Sequence, residues 1–426
     1  MKLGVISLGC AKNQVDLEEI LYLFKVNGFN IVSDPKEADY ILINTCSFIL
    51  DAKKESISAI FDMLEYKKPL IVTGCLPTRY LENMKKEIPE VKAYIPINKY
   101  SSFTKEINSL IKDIKLKGEI DPRNRLLLSN PYEAYLRISD GCDNKCTFCA
   151  IPSIRGKFKS VPLEILKDEL NILEKEGIRS LTVISQDTSM YGKDIGLTLV
   201  DLVKEINKHK KIEFVKLMYL YPDEVSDELI SLFNENNNLT PYFDLPIQHT
   251  SDNVLKRMGR RGTREDIYKL IKKFRQIKNS IIRTTLLVGF PGETKEDFNL
   301  LLNDIEKLEF DHLGCFTYSP EEGTPSTKFK DDVSDKEKAK RKQLIMDKQR
   351  LISYKLNKSR INSIYKCLIT DYDSETYSYS GITNIFAPDE IDGSLKIYSN
   401  EKLEPGTIVN IKIVNSFEYD LEADVV

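Results

Sequence analysis

The chain has 426 residues, enough for two or three domains, and its 41% hydrophobic and 30% charged content describes an ordinary soluble protein rather than a disordered or fibrous one. No apolar run approaches the length of a membrane span, the N-terminus carries no clear signal-peptide pattern, and eight Cys in a chain this long do not make a disulfide scaffold. The net charge of −3 points to no particular partner, while the grouping of the Cys favours metal ligation in a reducing, cytoplasmic setting.

Residues 1–110 read as alternating strands and helices. Gly4–Leu8, Tyr40–Ile43 and Leu70–Val72 are apolar strands, and Val15–Asn27 and Ala52–Tyr66 carry helical periodicity. A βαβαβ succession implies a parallel sheet. Cys10, Cys46 and Cys75 each stand just past the carboxyl end of one of these strands. Open α/β sheets bind ligands along that edge, so three thiols distant in sequence are expected at one place. They read either as three small buried hydrophobes or, better, as a set of three thiolate ligands.

Residues 101–134 mix Lys, Asp and Asn with Pro122 and Pro131 and read as a linker. Six further strands are expected at Ala134–Ile138, Ser180–Ile184, Phe214–Tyr219, Tyr242–Ile247, Ile282–Val288 and His312–Thr317. Helices are expected at Leu163–Glu176, Leu197–His209, Asp227–Asn234, Arg264–Ile277 and Lys295–Leu308, with start signals at Thr263 and Thr294. Six βα units suit a partial barrel whose function gathers at the carboxyl ends of its strands.

Immediately past the first of these strands runs Gly141-Cys-Asp-Asn-Lys-Cys-Thr-Phe-Cys-Ala150. Cys142, Cys146 and Cys149 offer three soft thiolates in one loop, which suits an iron–sulfur cluster or zinc. A 4Fe–4S cluster normally takes four Cys, so a loop of three leaves one iron open to a ligand. Zinc would want a fourth ligand, and no His or further Cys lies nearby. Other strand-end segments that could hold a cofactor or substrate are Ser185-Gln-Asp-Thr188, Gln248-His249 and Gly289-Phe-Pro-Gly-Glu293. Cys315 and Cys367 fall within strands and read as packing residues.

Lys328–Arg360 carries twelve Lys or Arg against five Asp or Glu and reads as one long helix capped by Ser334, either a solvated face or a contact with RNA or the ribosome. Residues 361–426 read as five short strands, Tyr365–Thr370, Tyr377–Thr383, Gly393–Tyr398, Ile408–Val414 and Asp420–Val425, forming a small OB-like barrel. This segment holds four Lys and no Arg against twelve Asp or Glu, a net charge of −8. Such a barrel repels RNA on average and suits a basic protein.

The CxxxCxxC spacing with Phe148 before its last Cys resembles the signature of the radical SAM enzymes. Ser7-Leu-Gly-Cys-Ala-Lys-Asn-Gln-Val-Asp-Leu-Glu18, Asn44-Thr-Cys46 and Gly74-Cys-Leu76 resemble the first domain of the methylthiotransferases in that superfamily. The resemblance covers essentially the whole chain. It implies an N-terminal parallel-sheet α/β domain over 1–117, a central partial (β/α)6 radical SAM barrel over 128–357, and a C-terminal antiparallel β-barrel of the TRAM type over 360–426. It also implies two 4Fe–4S clusters, one on Cys142, Cys146 and Cys149 that binds S-adenosylmethionine at its open iron, and an auxiliary one on Cys10, Cys46 and Cys75 that holds the sulfur to be transferred.

In the family's chemistry one S-adenosylmethionine methylates that sulfur. A second is reduced to a radical that removes a hydrogen from an unactivated carbon, which implies an electron donor. Family members often carry an Arg shortly after the cluster loop, where this chain has Val161. Ala387-Pro-Asp-Glu-Ile-Asp-Gly393 resembles the branch that modifies the β-carbon of an aspartate in ribosomal protein S-twelve. The alternatives are the branch that modifies an adenosine in tRNA and, from another class, a two-cluster electron carrier without enzymatic activity.

Overall fold

The computed structural model describes residues 1–235, 238–388 and 391–426. Asp389 and Glu390 of the Ala387–Gly393 motif therefore lie outside the described residues. No helix among those described is long and apolar enough to cross a membrane.

The first sheet contains β1 (Lys2–Ser7), β2 (Asn30–Val32), β3 (Tyr40–Thr45), β4 (Leu70–Gly74) and β5 (Ala93–Pro96) in the order β2-β1-β3-β4-β5, all parallel. Every residue of β3 and β4 is buried, as a central parallel strand covered on both faces requires. The helices α1 (Ala11–Val26) and α4 (Phe103–Leu110) cover one face through Leu17, Leu21, Phe24, Phe103 and Ile107. On the other face lie α2 (Leu50–Leu64) and α3 (Cys75–Glu87), with Ile60, Leu76 and Met84. The chain runs outward from β1 to β2 on one side and to β3 on the other. The strand order thus reverses between β1 and β3, the place where such sheets open a crevice.

The expected linker is more ordered than its composition suggests. It holds α4, and beyond it Ile111, Ile114 and Leu116 are buried against α1. The apolar periodicity there is too short to announce a packed element.

The second sheet holds β6 (Glu133–Arg137), then β9 (Ser180–Ile184), β10 (Phe214–Leu217), β11 (Leu239–Gln248), β12 (Ile281–Val288) and β13 (His312–Thr317), side by side in chain order and all parallel. A two-stranded ribbon, β7 (Ser139–Asp140) with β8 (Lys159–Ser160), brackets the cluster loop. Around the sheet stand α5 (Ile151–Arg155), α6 (Leu163–Lys175), α7 (Leu199–Ile206), α8 (Asp227–Leu232), α9 (Asp252–Arg257), α10 (Arg264–Arg275) and α11 (Lys295–Leu308). Thr263 and Thr294 form capping boxes with Asp266 and Asp297, as their spacing predicts. Val161 packs on the core of this unit.

The long helix α12 (Asp335–Ser359) starts at the Ser334 cap. The last unit is a closed barrel of β14 (Ile364–Asp373), β15 (Ser378–Ile382), β16 (Leu395–Tyr398), β18 (Leu421–Val425) and β17 (Ile408–Ser416). Its pairs are antiparallel except β16 with β18, which run parallel. It seals one end of the second sheet. Arg283 on β12 bonds Asp392 at 3.0 Å, Tyr242 on β11 also reaches Asp392, and His312 on β13 meets the carbonyl of Ile385 at 2.7 Å.

Candidate functional site

Each thiol of the first set is placed by the end of a strand. Cys10 stands at the N-cap of α1 after β1, Cys46 follows β3, and Cys75 opens α3 after β4. Cys10 and Cys46 thereby flank the point where the strand order reverses. Gly74 makes the turn into Cys75 at φ +98°, in a space closed by Asn44 and the backbone of Thr45. Asn13 links the set, since its Oδ1 lies 3.9 Å from Cys10 Sγ and 3.5 Å from Cys75 Sγ. Ser56 on α2 donates to the Cys46 carbonyl at 2.9 Å and accepts from its amide at 3.0 Å. Cys46 and Cys75 are buried and Cys10 is exposed, so the set opens to one side.

The second set lies in the loop between β7 and α5. Phe148 anchors that loop edge-on against Phe290 at 6.3 Å, and the Thr147 amide donates to the Met258 carbonyl at 2.9 Å. Arg260 Nη1 comes within 3.7 Å of Cys146 Sγ, and Tyr221 Oη within 3.8 Å. Arg260 also stacks over the Tyr221 ring at 3.8 Å.

Burial pushes the Cys75 and Cys149 thiols up to about 12 and raises Cys46 and Cys142 as well, with Arg155 opposing the shift at Cys75 and Arg260 at Cys149. Ligation of a metal therefore entails release of protons at these positions. Among the described residues, no three His, Cys, Asp or Glu converge to hold a single ion. The thiols are instead three soft donors set around a shared space, which suits a group of several irons, each taking one thiolate.

The two sets face each other. Cys75 packs against Ala150, the residue after Cys149, and against Ile154 on α5. Arg155 at the end of α5 bonds Asn13 Oδ1 at 3.0 Å and Asp16 at 2.6 Å, and Asp140 beside the cluster loop at 3.2 Å. Arg137 at the end of β6 also pairs with Asp16, and with Glu19 at 2.6 Å. Arg125 pairs with Glu18 at 3.1 Å and Glu169 at 2.8 Å. These side chains are nearly all buried and join α1 to the barrel mouth.

The remaining strand-end segments separate into two kinds. Both amide atoms of Gln186 and one carboxylate oxygen of Asp187 are buried without a partner, while the other Asp187 oxygen accepts from Asn144 of the cluster loop at 2.6 Å. Burial raises Asp187 to about 6. Orphaned polar atoms beside three thiols are what a polar cofactor would satisfy. Tyr219 and Gln248 have φ of +60° and +69°, a strained conformation for residues with side chains, at the carboxyl ends of β10 and β11.

Glu293, in contrast, caps its own turn, accepting from the amides of Gly289 and Phe290 and pairing with Arg341 at 2.9 Å. Gly289 and Gly292 serve that turn at φ +73° and +83°. His249 is fully buried; its Nδ1 accepts from the Ser251 amide at 2.9 Å, while its Nε2 has no partner among the described residues. Cys315 and Cys367 are buried within β13 and β14.

The long helix has less free charge than its composition suggests. Lys338, Arg341, Lys348, Lys355 and Arg360 pair with Asp331, Glu293, Glu306, Glu309 and Asp311.

Comparison with known proteins agrees with this architecture. Residues 136–305 match the radical SAM superfamily, 2–96 the uncharacterized protein family UPF0004, and 360–426 the TRAM domain. The chain is 41% identical over 446 residues to the ribosomal protein uS12 methylthiotransferase RimO of Acetivibrio thermocellus, covering 100% of this chain and 98% of that one. It is 44% identical over 431 residues to the protein of the same name from Caldanaerobacter subterraneus subsp. tengcongensis, covering 98% of each. The chain belongs to the RimO methylthiotransferase family. It is a transferase of the radical SAM superfamily, which implies a 4Fe–4S cluster and S-adenosylmethionine as its cofactors. Among solved structures, the radical S-adenosylmethionine methyltransferase TsrM of Kitasatospora setae shares the fold, with a TM-score of 0.56 at 12% identity over 76% of each chain.

Proposed function

We propose that this protein transfers a methylthio group to the β-carbon of an aspartate in ribosomal protein uS12. The observation that carries the reading is the meeting of two three-thiol sets at one mouth, joined by Arg155 and Asp16, in a chain that matches RimO relatives along its whole length. In this reading Cys142, Cys146 and Cys149 hold a 4Fe–4S cluster that leaves one iron for S-adenosylmethionine, and Cys10, Cys46 and Cys75 hold a second cluster. When bound, these groups supply the one-electron cleavage of S-adenosylmethionine and the sulfur to be transferred.

The chain supplies position, charge and exclusion of water. Arg260 and Tyr221 offset negative charge at Cys146. Asn13 and Arg155 keep the two sets in one fixed relation, which a reaction joining two groups at a single carbon requires. Gln186 and Asp187 offer unpaired polar atoms to S-adenosylmethionine. The acidic last barrel, with a net charge of −8 over residues 361–426, favours a basic protein over tRNA. Exposed Lys336, Lys340 and Lys342 on α12 suit a contact with ribosomal RNA beside the docked protein.

The test is an anaerobic competition. The reconstituted enzyme, with reductant and S-adenosylmethionine, is offered uS12 and tRNA together, and mass spectrometry reads both. A methylthio addition on an aspartate of uS12 is expected. Addition to tRNA alone would overturn the substrate assignment.

A further inference from the structure

Lys12, two residues after Cys10, points out of the first unit and into the mouth of the barrel. Its side chain is buried, with the residue only 7% exposed. Its Nζ donates to the carbonyl of Ser185, just past β9, at 2.9 Å, and lies 3.7 Å from the centre of the Tyr219 ring, just past β10. These contacts draw one N–H to a neutral carbonyl and set one side of the ammonium against a π face. No carboxylate among the described residues forms an ion pair with it, although Arg125, Arg137 and Arg155 around the same seam all have acidic partners.

Asp140, Asp244 and Cys10 act on the ammonium only from beyond ion-pair distance, and a neutral carbonyl and a ring offset only part of the cost of burying it. The position therefore leaves the ammonium free to take an anion in direct contact. It lies two residues from Cys10 in sequence and against the strand end that carries Gln186 and Asp187.

We propose that Lys12 receives the carboxylate of the substrate aspartate and so selects an acidic side chain for methylthiolation. The inference rests on the reading that uS12 is the substrate and adds the residue that recognises its target group. The Tyr219 ring confines the ammonium from one side and the Ser185 carbonyl from another, which fixes where a carboxylate can meet it. A single fixed point charge of this kind aligns the aspartate so that its β-carbon lies a bond away from the anchored group. Discrimination against the neutral amide follows, because asparagine would leave the ammonium unpaired.

The experiment crosses two enzymes with two substrates: the wild-type enzyme and Lys12→Met, each with uS12 and with uS12 carrying Asn at the target position. Methionine keeps the length and the apolar contact with Tyr219 while removing the charge. Iron content and the visible spectrum of the reconstituted variant establish that both clusters assemble. The expected result is a fall in kcat/KM of about 100-fold for Lys12→Met on native uS12, and no further effect of the variant on the Asn substrate. The affinity for S-adenosylmethionine, read by equilibrium binding, is expected to be unchanged.

Equal losses on both substrates would overturn the proposal, since Lys12 would then not read the carboxylate. A weakened affinity for S-adenosylmethionine would overturn it too, by assigning the ammonium to the cofactor's carboxylate. Loss of iron would overturn it by making Lys12 a counter-charge of the Cys10 cluster. Absence of any product from the wild-type enzyme on native uS12 would instead refute the substrate reading, so the two failures are distinct.

Discussion

Asp16→Asn tests whether the buried ion network holds the two thiol sets together. The Asp16 side chain is 2% exposed and accepts from Arg155, itself 1% exposed, at 2.6 Å, and from Arg137. Removing one partner of a buried ion pair typically costs about 3–5 kcal/mol, because the other charge is left desolvated. Here Arg155 keeps Asp140 at 3.2 Å, Arg137 keeps Glu19 at 2.6 Å, and Asn retains an acceptor oxygen. The cost therefore falls at the lower end, about 3 kcal/mol, or roughly a 150-fold shift in the opening equilibrium of this seam. Hydrogen exchange read by mass spectrometry is the assay. The amides of α1 are expected to exchange about 100-fold faster in the variant, while those of the β14–β18 barrel stay unchanged. Product formation is expected to fall with the loss of registry while S-adenosylmethionine cleavage persists. A change below threefold in α1, or an equal change in both regions, would refute the reasoning.

Three further outcomes are expected. Gly74→Ala forces a Cβ into Asn44 and the Thr45 backbone at φ +98°, and should displace Cys75 and lower iron content by about half; Gly177→Ala, at φ +93° with open space around it, should leave iron content intact. Burial lowers His249 from its ordinary value to about 3, so the unfolded chain takes up a proton first as pH falls. The stability contributed by the neutral imidazole is complete above about pH 6.5 and is lost progressively below it, by roughly 1.5 kcal/mol on going to about pH 5. Denaturant titrations of the wild type and of His249→Gln should differ in pH slope by that amount, and identical slopes would contradict it. Association with uS12 should slow at least tenfold as ionic strength rises from about 0.05 M to about 0.5 M, measured by stopped flow; an insensitive rate would show that the acidic barrel does not steer the partner.

The elements that carry the thiols are legible in the sequence because their signals are local. β3 and β4 are continuous apolar runs, and Cys46 and Cys75 follow them directly. The CxxxCxxC loop declares a ligand set within eight residues. Short or atypical elements are harder to read. β2 has three residues, α5 has five with Pro152 inside, and α3 opens Cys-Leu-Pro, where Pro77 is tolerated only because it falls in the first turn.

The residues that complete the site have no local signal at all. Arg155 is 142 positions from Asn13, Arg260 is 114 from Cys146, and Lys12 is 173 from Ser185. An arginine or lysine at such a position looks like a surface charge until the fold buries it. The basic run Lys328–Arg360 overstates its free charge, since pairing with acids of the barrel takes up that of Arg341, Lys348, Lys355 and Arg360.

The division of labour between the two thiol sets is the centre of this account. The most direct measurement compares the triple variants Cys10→Ala/Cys46→Ala/Cys75→Ala and Cys142→Ala/Cys146→Ala/Cys149→Ala, each reconstituted anaerobically and assayed for iron, for 5′-deoxyadenosine and for methylthiolated uS12. The first variant is expected to keep about half the iron and to cleave S-adenosylmethionine without making product, and the second to lose both cleavage and product. Methylthiolated uS12 from the first variant at the wild-type rate would contradict the account.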